Sequence, residues 1–178
     1  GRKGSGKTAI FFMVRNELRN RKDYTVTDLK PESHQLSLFR ENLLSLVDLG
    51  SFDHTLAAFW YYVVLSEILL TIKKTAEIRS KYDGVALNTS REISDLLEKQ
   101  GVLNSGDFTS RLNRLGSFVT QELKTAKKLG ERLSPEKLTN IVFRDAIVPI
   151  RDLIIKHTNN DTDIVLLFDN LDKGWPSS

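Results

Sequence analysis

The chain contains no cysteine, which excludes disulfide bonds and thiolate metal sites and fits a reducing cytoplasm, the compartment we expect. Its histidines, His34, His54 and His157, are scattered, and no two have the spacing of a metal-binding pair. Basic residues number 26 and acidic residues 23, an excess that indicates nucleic-acid binding only if it is concentrated on one surface. These absences argue against a metal hydrolase.

The first eight residues, in contrast, fit the phosphate-loop pattern G-x-x-x-x-G-K-[ST] at every fixed position. Glycines let such a loop curl so that its backbone N–H groups point at nucleotide phosphates, ahead of a helix N-terminus that favours anions. The pattern predicts that Lys7 bridges the β- and γ-phosphates and that the Thr8 hydroxyl binds Mg²⁺. The other predicted phosphate-binding residues are Gly1, Gly4, Ser5 and Gly6.

A second motif lies near the other end of the sequence. Residues 163–168 are a short apolar run that ends at Asp169. Continuous rather than alternating hydrophobicity is typical of a strand buried on both faces of a parallel sheet. A strand of this kind ending in aspartate is the Walker B pattern, whose carboxylate holds the water shell of Mg²⁺. Together the two motifs predict a nucleotide site in which Thr8 and Asp169 bind the metal.

The two motifs do not identify the general base or the nucleotide. The residue after Asp169 is Asn170, whose amide is not a useful proton acceptor at neutral pH. Asp172 is the nearest candidate and joins Lys7 as a predicted catalytic residue, although capping a turn around residues 173–176 explains it equally well. The sequence lacks the D-x-x-G and N-K-x-D motifs of GTPases, so we expect ATP.

Between the motifs the sequence patterns are mostly helical. They predict helices over residues 8–20, 32–49, 55–82, 89–100, 108–129 and 135–157, and strands over residues 24–29 and 163–168. The first helix is apolar on nearly all sides and is therefore expected to be buried. A capping box at Thr89–Glu92 predicts the fourth helix start after a turn at Asp83–Gly84, and Pro149 is expected to kink the last helix.

The helix predicted over residues 108–129 carries several basic side chains outside its apolar positions. A solvated face explains them best, and a surface for nucleic acid or an acidic partner is the alternative. They are Arg111, Arg114, Lys124, Lys127 and Lys128.

The helix predicted over residues 55–82 is apolar enough to raise the question of a membrane. Its first eighteen residues carry one charge, Glu67. Eighteen residues is close to the length of about 20 that a membrane-spanning helix needs. One crossing, however, would leave the phosphate loop and Asp169 on opposite sides of the bilayer, and no second uncharged run of that length returns the chain. We expect a buried helix with its aromatic cluster in the core, and no membrane.

Two segments carry a family resemblance, GRKGSGKTAIFF at residues 1–12 and FDNLDKGW at residues 168–175. The chain resembles a group of bacterial P-loop ATPases and is more distantly similar to the STAND and KAP NTPases, whose Walker B regions read D-x-hydrophobic-acid. The resemblance covers both ends well and the helical middle loosely. It implies an additional-strand sheet, in which a later strand separates the Walker A and Walker B strands. It also implies ATP-dependent switching in bacterial defence or signalling.

These observations predict a mostly helical α/β fold with a large helical insert between Walker A and Walker B. The resemblance implies that its sheet is a fragment of an additional-strand P-loop NTPase sheet. Residues 1–30 would hold the loop, the first helix and a strand, residues 31–160 the helical insert, and residues 161–178 the Walker B strand and a turn. The strands near Val26 and Val165 are expected to pair in parallel. Because a phosphate loop normally follows a buried strand, we expect one ahead of Gly1 in a parent protein.

The favoured function is an ATPase or ATP-dependent switch that binds Mg²⁺ and ATP. The alternative is a helical interaction or scaffold module whose degenerate nucleotide site does not hydrolyse ATP. The expected partners are the nucleotide and the rest of the parent chain, with a homo-oligomer left open.

Overall fold

The computed structural model describes residues 6–21, 23–29, 52–101, 108–131, 133–158 and 162–169. The predicted mostly helical α/β class is confirmed, whereas the helix predicted over residues 32–49 lies outside these ranges. The helices are α1 (Lys7–Arg19), α2 (Phe52–Arg79), α3 (Gly84–Lys99), α4 (Phe108–Lys128), α5 (Pro135–Val142) and α6 (Val148–His157). The strands are β1 (Tyr24–Leu29) and β2 (Asp163–Phe168).

The two strands form a parallel sheet with Val26 opposite Val165, as predicted. Side chains alternate between the faces of a strand, so neighbouring residues of β1 face different helices. Thr27 is buried and its hydroxyl donates to the Thr71 hydroxyl of α2 at 3.0 Å. Asp28 forms an ion pair with Arg15 of α1. The helices α1 and α2 therefore cover opposite faces of the sheet.

The main core surrounds α2, which at 1.5 Å per residue is about 42 Å long. This helix packs against α3, α4, α5 and α6 as well as β1. Its aromatic cluster lies partly in the core, because Phe59 and Tyr62 are buried whereas Tyr61 is exposed. Among the residues described, no helix combines the length and apolarity that crossing a membrane requires. The core includes Tyr62, Leu69, Ile93, Leu115, Val119, Val142 and Ile150.

The N-cap of helix α3 lies six residues earlier than the capping-box motif predicts. The Asp83 carboxylate accepts hydrogen bonds from the backbone N–H groups of Val85 at 2.8 Å and Ala86 at 3.3 Å, so Asp83 is the N-cap. The Thr89 hydroxyl instead donates to the Val85 carbonyl inside the helix. The predicted turn at Asp83–Gly84 and the predicted start at Thr89 are therefore wrong, because the Asp83 side chain already caps backbone N–H groups of an earlier first turn.

The last predicted helix is continuous to His157 but contains a π-helical turn at Phe143–Ile147. Pro149 follows this turn and has no N–H to donate to the Asp145 carbonyl one helical turn back. The Gln100 side chain of α3 instead approaches that region, its amide donating to the Ala146 carbonyl at 3.1 Å and lying 3.4 Å from the Asp145 carbonyl. Pro149 therefore follows a widened helical turn, and the Gln100 side chain at the end of α3 stabilises that turn through a hydrogen bond.

Two burial predictions fail in the described part of the chain. Helix α1 packs against β1 on one side, but Ile10 is 56% and Met13 63% exposed. Strand β2 has β1 as its partner, and its Ile164 and Phe168 are also exposed. Burial on every side requires neighbours on every side, and the described elements supply them on one side only. The prediction of a fully buried first helix and a doubly buried Walker B strand is corrected accordingly.

The basic residues of α4 do not all form a solvated face. Arg111 is 2% exposed, and its Nε lies 3.2 Å from the Glu67 carboxylate of α2. Arg114 is half-buried, and its Nε donates to the Gln100 carbonyl. Three others, Lys124, Lys127 and Lys128, are exposed as expected. The two arginines nearest the start of α4 therefore belong to helix packing, because their partners lie on other helices.

Three glycines provide a matched test of these contacts. Gly101 has φ +65°, and a Cβ there would lie 2.7 Å from the Arg114 guanidinium, whereas Gly130 has φ +74° with open space around it. We expect Gly130→Ala to cost about 1–2 kcal/mol from backbone strain, and Gly101→Ala about 1 kcal/mol more because Arg114 must leave the Gln100 carbonyl. Denaturant unfolding measures both values.

The control is Gly116→Ala in the interior of α4, where a Cβ has open space. This change should stabilise the protein by about 0.5–1 kcal/mol, because alanine is the better helix former. Equal losses for Gly101→Ala and Gly130→Ala would contradict the role of the Arg114 contact.

Candidate nucleotide site

The N-terminus of α1 is the part of the phosphate loop that the structure describes. Gly6 is the N-cap, with φ +73° in the left-handed region that glycine adopts most readily, and its carbonyl accepts from Ile10 N–H at 3.0 Å. Gly6 has no side chain to cap the helix, and the first turn contains no acidic residue. The backbone N–H groups of this turn are therefore suited to an anion.

The structure covers part of the predicted site. Gly1, Gly4, Ser5 and Asp172 lie outside the described residues, and Lys7 begins α1 with its side chain outside them. The Thr8 side chain, in the first turn, is exposed.

Asp169 directly follows β2 and is half-buried. Its backbone N–H donates to the Leu29 carbonyl at 3.1 Å, which extends the β1–β2 pairing by one hydrogen bond. The carboxyl ends of β1 and β2 are therefore held side by side, with Asp169 at that edge of the sheet.

The chain topology relates α1 to this edge. Residues 20–23 join α1 to β1, and the helix packs on the strand, so α1 runs back along β1. Its N-terminus consequently points towards the carboxyl edge of the sheet, where Asp169 lies. Gly6 and Thr8, at this N-terminus, are thus directed towards the same edge of the sheet as Asp169.

Asp28 is a carboxylate at this edge that the sequence motifs do not identify. One of its oxygens, Oδ2, lies 3.2 Å from both Arg15 Nη1 and Arg19 Nη2 of α1. Its Oδ1 is buried without a hydrogen-bond partner in the described part of the chain. The parallel register places Asp28 opposite Leu167, two residues before Asp169 and on the same face of the sheet. An acid in a strand that otherwise favours apolar and β-branched residues is the signal that could have found it.

A second polar cluster joins α3 to the end of α6, just before β2. The His157 Nε2 lies 2.9 Å from Glu92 Oε2, and its Nδ1 lies 3.3 Å from the Thr89 hydroxyl. The Thr89 hydroxyl also donates to the Val85 carbonyl at 3.1 Å. His157 therefore contacts two neighbouring polar side chains of α3, Thr89 and Glu92.

Glu92 is the centre of this cluster. The hydrogen bond from Lys156 is the largest cause that lowers the pKa of the Glu92 carboxyl, the hydrogen bond from His157 adds to it, and desolvation opposes both. Glu92 is therefore ionised at neutral pH and links α3 to the helix that leads into β2. Groups of three or more histidines and carboxylates arranged for a metal ion do not occur within the described ranges.

No protein-family model matches the chain, and no solved structure matches it. Among curated proteins, the chain is similar to one from Escherichia coli (strain K12) described as "Putative transposon gamma-delta 80.3 kDa protein". The two are 24% identical over 181 residues, which cover 98% of this chain and 23% of that protein. The chain thus spans less than a quarter of the relative's length. The resemblance to P-loop ATPases stays a prediction from the two motifs.

The ionised Glu92 predicts a pH-dependent contribution to stability. Its folded pKa is lowered, so the contribution is present above the ordinary glutamate pKa and is lost as the pH falls through the folded value. We expect Glu92→Gln to lower the melting temperature by a few degrees at pH 7, with a smaller difference from the unsubstituted protein near pH 4.

Thermal unfolding followed by circular dichroism measures this difference. Glu98→Gln, an exposed change on the same helix, is the control and should have little effect at either pH. A Glu92→Gln deficit that is equally large at both pH values would contradict an electrostatic origin.

Proposed function

We propose that this chain is part of a P-loop ATPase that binds Mg²⁺ and ATP and acts as an ATP-dependent switch in the cytoplasm. The observation that carries the proposal is the parallel pairing of β1 with β2 beside α1. This pairing joins the helix after the GRKGSGKT loop and the strand before Asp169 in one α/β unit. A phosphate loop and a Walker B strand serve one site only when they belong to the same sheet.

In the proposed site each residue type has a chemical role. The backbone of the loop, with Gly1, Gly4, Ser5 and Gly6, holds the phosphates, and Lys7 neutralises their β and γ charges. The Thr8 hydroxyl and the Asp169 carboxylate hold the magnesium ion and its waters. Asp172 positions the attacking water. The left-handed Gly6 and the uncapped first turn of α1 support the phosphate-binding part.

The helical part is proposed to respond to the nucleotide. Helix α2 contacts the sheet through Thr71 and extends into the core formed with α3, α4, α5 and α6. Helix α6 leads directly into β2 through the segment after His157. Contacts to the γ-phosphate exist in one nucleotide state only, so they can shift the balance between two arrangements of these helices. Defence or signalling in bacteria is the process that the family resemblance suggests.

The exposed apolar side chains of α1 and β2 support a larger parent protein. We propose that further strands of the parent chain cover Ile10, Met13, Ile164 and Phe168, which in the described unit face outwards. The similar protein from Escherichia coli is more than four times longer than the matched region, and its name refers to a transposon. On that likeness we propose that the parent of this chain belongs to a mobile element.

The alternative is a scaffold module whose nucleotide site no longer hydrolyses ATP. The core that α2 builds with four other helices suits an interaction module equally well. Turnover of Mg·ATP by the full-length protein separates the two functions, because a scaffold gives no hydrolysis above background.

The phosphate-binding role of Lys7 predicts a loss of ATP affinity on substitution. In the full-length protein, Lys7→Ala should weaken ATP binding by at least about a hundredfold, or about 2.7 kcal/mol, because a charge-assisted contact to the phosphates is lost. Isothermal titration calorimetry measures the dissociation constant. Lys124→Ala, at an exposed position of α4, is the matched control and should bind ATP normally. Unchanged affinity in Lys7→Ala would refute the site.

The role of Asp172 predicts a different pattern. Asp172→Asn should slow ATP hydrolysis by about 10²–10⁴-fold, the usual contribution of a general base, while leaving ATP affinity unchanged. Phosphate release under single-turnover conditions measures the rate. If hydrolysis is unaltered, Asp172 caps a turn and the base lies elsewhere.

A further inference from the structure

A pocket of about 210 Å³ lies among α2, α3, α4 and the π-helical turn, on the helical side of the molecule. Its apolar walls include Tyr62 of α2, Leu96 of α3, Phe118 of α4 and Pro149 of α6. Its polar groups include the Lys99 ammonium and the Arg114 guanidinium. Apolar walls with a few charged groups are typical of a small-molecule site.

The widened turn at Phe143–Ile147 forms one side of this pocket. The Ala146 carbonyl accepts from the Gln100 amide at 3.1 Å, which supports the turn from α3. The turn and the proline after it also bring Asp145, Ala146 and Pro149 into the pocket wall. Single π-helical turns inside α-helices occur frequently at functional sites.

The guanidinium of Arg114 is held in a fixed position. Its Nε donates to the Gln100 carbonyl at the end of α3, and the group lies against Gly101, where a Cβ would be 2.7 Å from it. This hydrogen bond occupies Nε, and the terminal nitrogens have no further hydrogen bond within the described ranges. A pre-positioned guanidinium suits a carboxylate, because its parallel N–H groups match the two oxygens.

The charge of the pocket is positive. Asp145 also lines it, but both of its oxygens lie 2.7 Å from Arg144, which holds the pKa of the Asp145 carboxyl below its usual range. Lys99 and Arg114 have no carboxylate partner among the described residues. Burial raises the pKa of the Tyr62 phenol, so this group stays protonated and neutral. An anionic ligand is therefore favoured over a neutral or cationic one.

The volume limits the size of the ligand. An apolar cavity of about 150 Å³ holds one benzene molecule. The present pocket is larger, and its cationic side chains lie beside an apolar wall. It can therefore hold a small apolar group that carries a carboxylate on a short alkyl chain. A nucleoside triphosphate is much larger than this space.

We propose that the pocket binds a small aromatic or branched apolar carboxylate, with its apolar body between Leu96 and Phe118 and its carboxylate at Arg114 and Lys99. The site is separate from the proposed nucleotide site and its test requires no ATP. Its ligand is held by charged contacts to these two side chains and by burial of its apolar body.

The test is a titration of the methyl-labelled protein with 3-phenylpropanoate, followed by NMR. We expect saturable shifts of the Leu96, Leu115 and Ala146 methyl signals, which belong to the pocket wall. The neutral isostere 3-phenylpropanamide should bind at least about tenfold more weakly, because it lacks the charge that Arg114 and Lys99 recognise. This comparison uses the unsubstituted protein, so it does not depend on how a variant folds.

Variants then locate the charge recognition. Lys99→Met and Arg114→Met should each reduce the preference for the carboxylate over the amide, whereas Lys124→Met, an exposed change on α4, should preserve it. Equal affinity of the acid and the amide for the unsubstituted protein would overturn the proposal. So would the absence of shifts at the pocket methyls up to about 10 mM ligand, a concentration that detects binding of about 3 kcal/mol.

Discussion

Parallel pairing joins β1, near the start of the sequence, to β2, which follows after the five helices α2 to α6. Parallel strands need a crossover connection, and here the crossover is the helical core itself. The pairing fixes Asp169 beside Leu29, and Thr27 of β1 holds α2 against the sheet through its hydrogen bond to Thr71. If the strands separated, Asp169 and the N-terminal end of α1 would no longer belong to one α/β unit.

Long-range polar contacts then fix how the helices lie against one another. Arg111 pairs with Glu67 in a buried position between α4 and α2, and breaking such a pair by removing one partner is strongly destabilising. Gln100 supports the π-helical turn of the last helical segment, and Glu92 links α3 to His157 just ahead of β2. The contact at Glu92 lies near β2, the strand that precedes Asp169 in the proposed nucleotide site. The contact at Gln100 lies at the pocket for which we propose a carboxylate ligand, so both proposed sites adjoin the same helical core.

The sequence predicts the elements whose signals are local. The apolar run before Asp169 matches β2, and the apolar spacing of α4 predicts its bounds to within one residue, because periodicity depends on near neighbours. Asp83 and Thr89 are both residue types that cap a helix N-terminus. The sequence alone does not show that Asp83 is the one that accepts hydrogen bonds from the first turn of α3. The buried position of Arg111 depends on Glu67 of another helix, which periodicity within α4 does not contain. In the proposed site, the motifs predict Thr8 and Asp169, whereas the position of Asp28 depends on strand register and on arginines of α1.

We propose that the loop before α1 and the residue after β2 bind one Mg·ATP. Hydrogen–deuterium exchange of the full-length protein, with and without Mg·ATP, tests it most directly, because it reports on both segments at once. We expect slower exchange in peptides covering residues 1–13 and residues 163–172, and a smaller reduction of exchange by ATP when magnesium is withheld. ATP that binds without protecting either segment, or that protects only one of them, would contradict it.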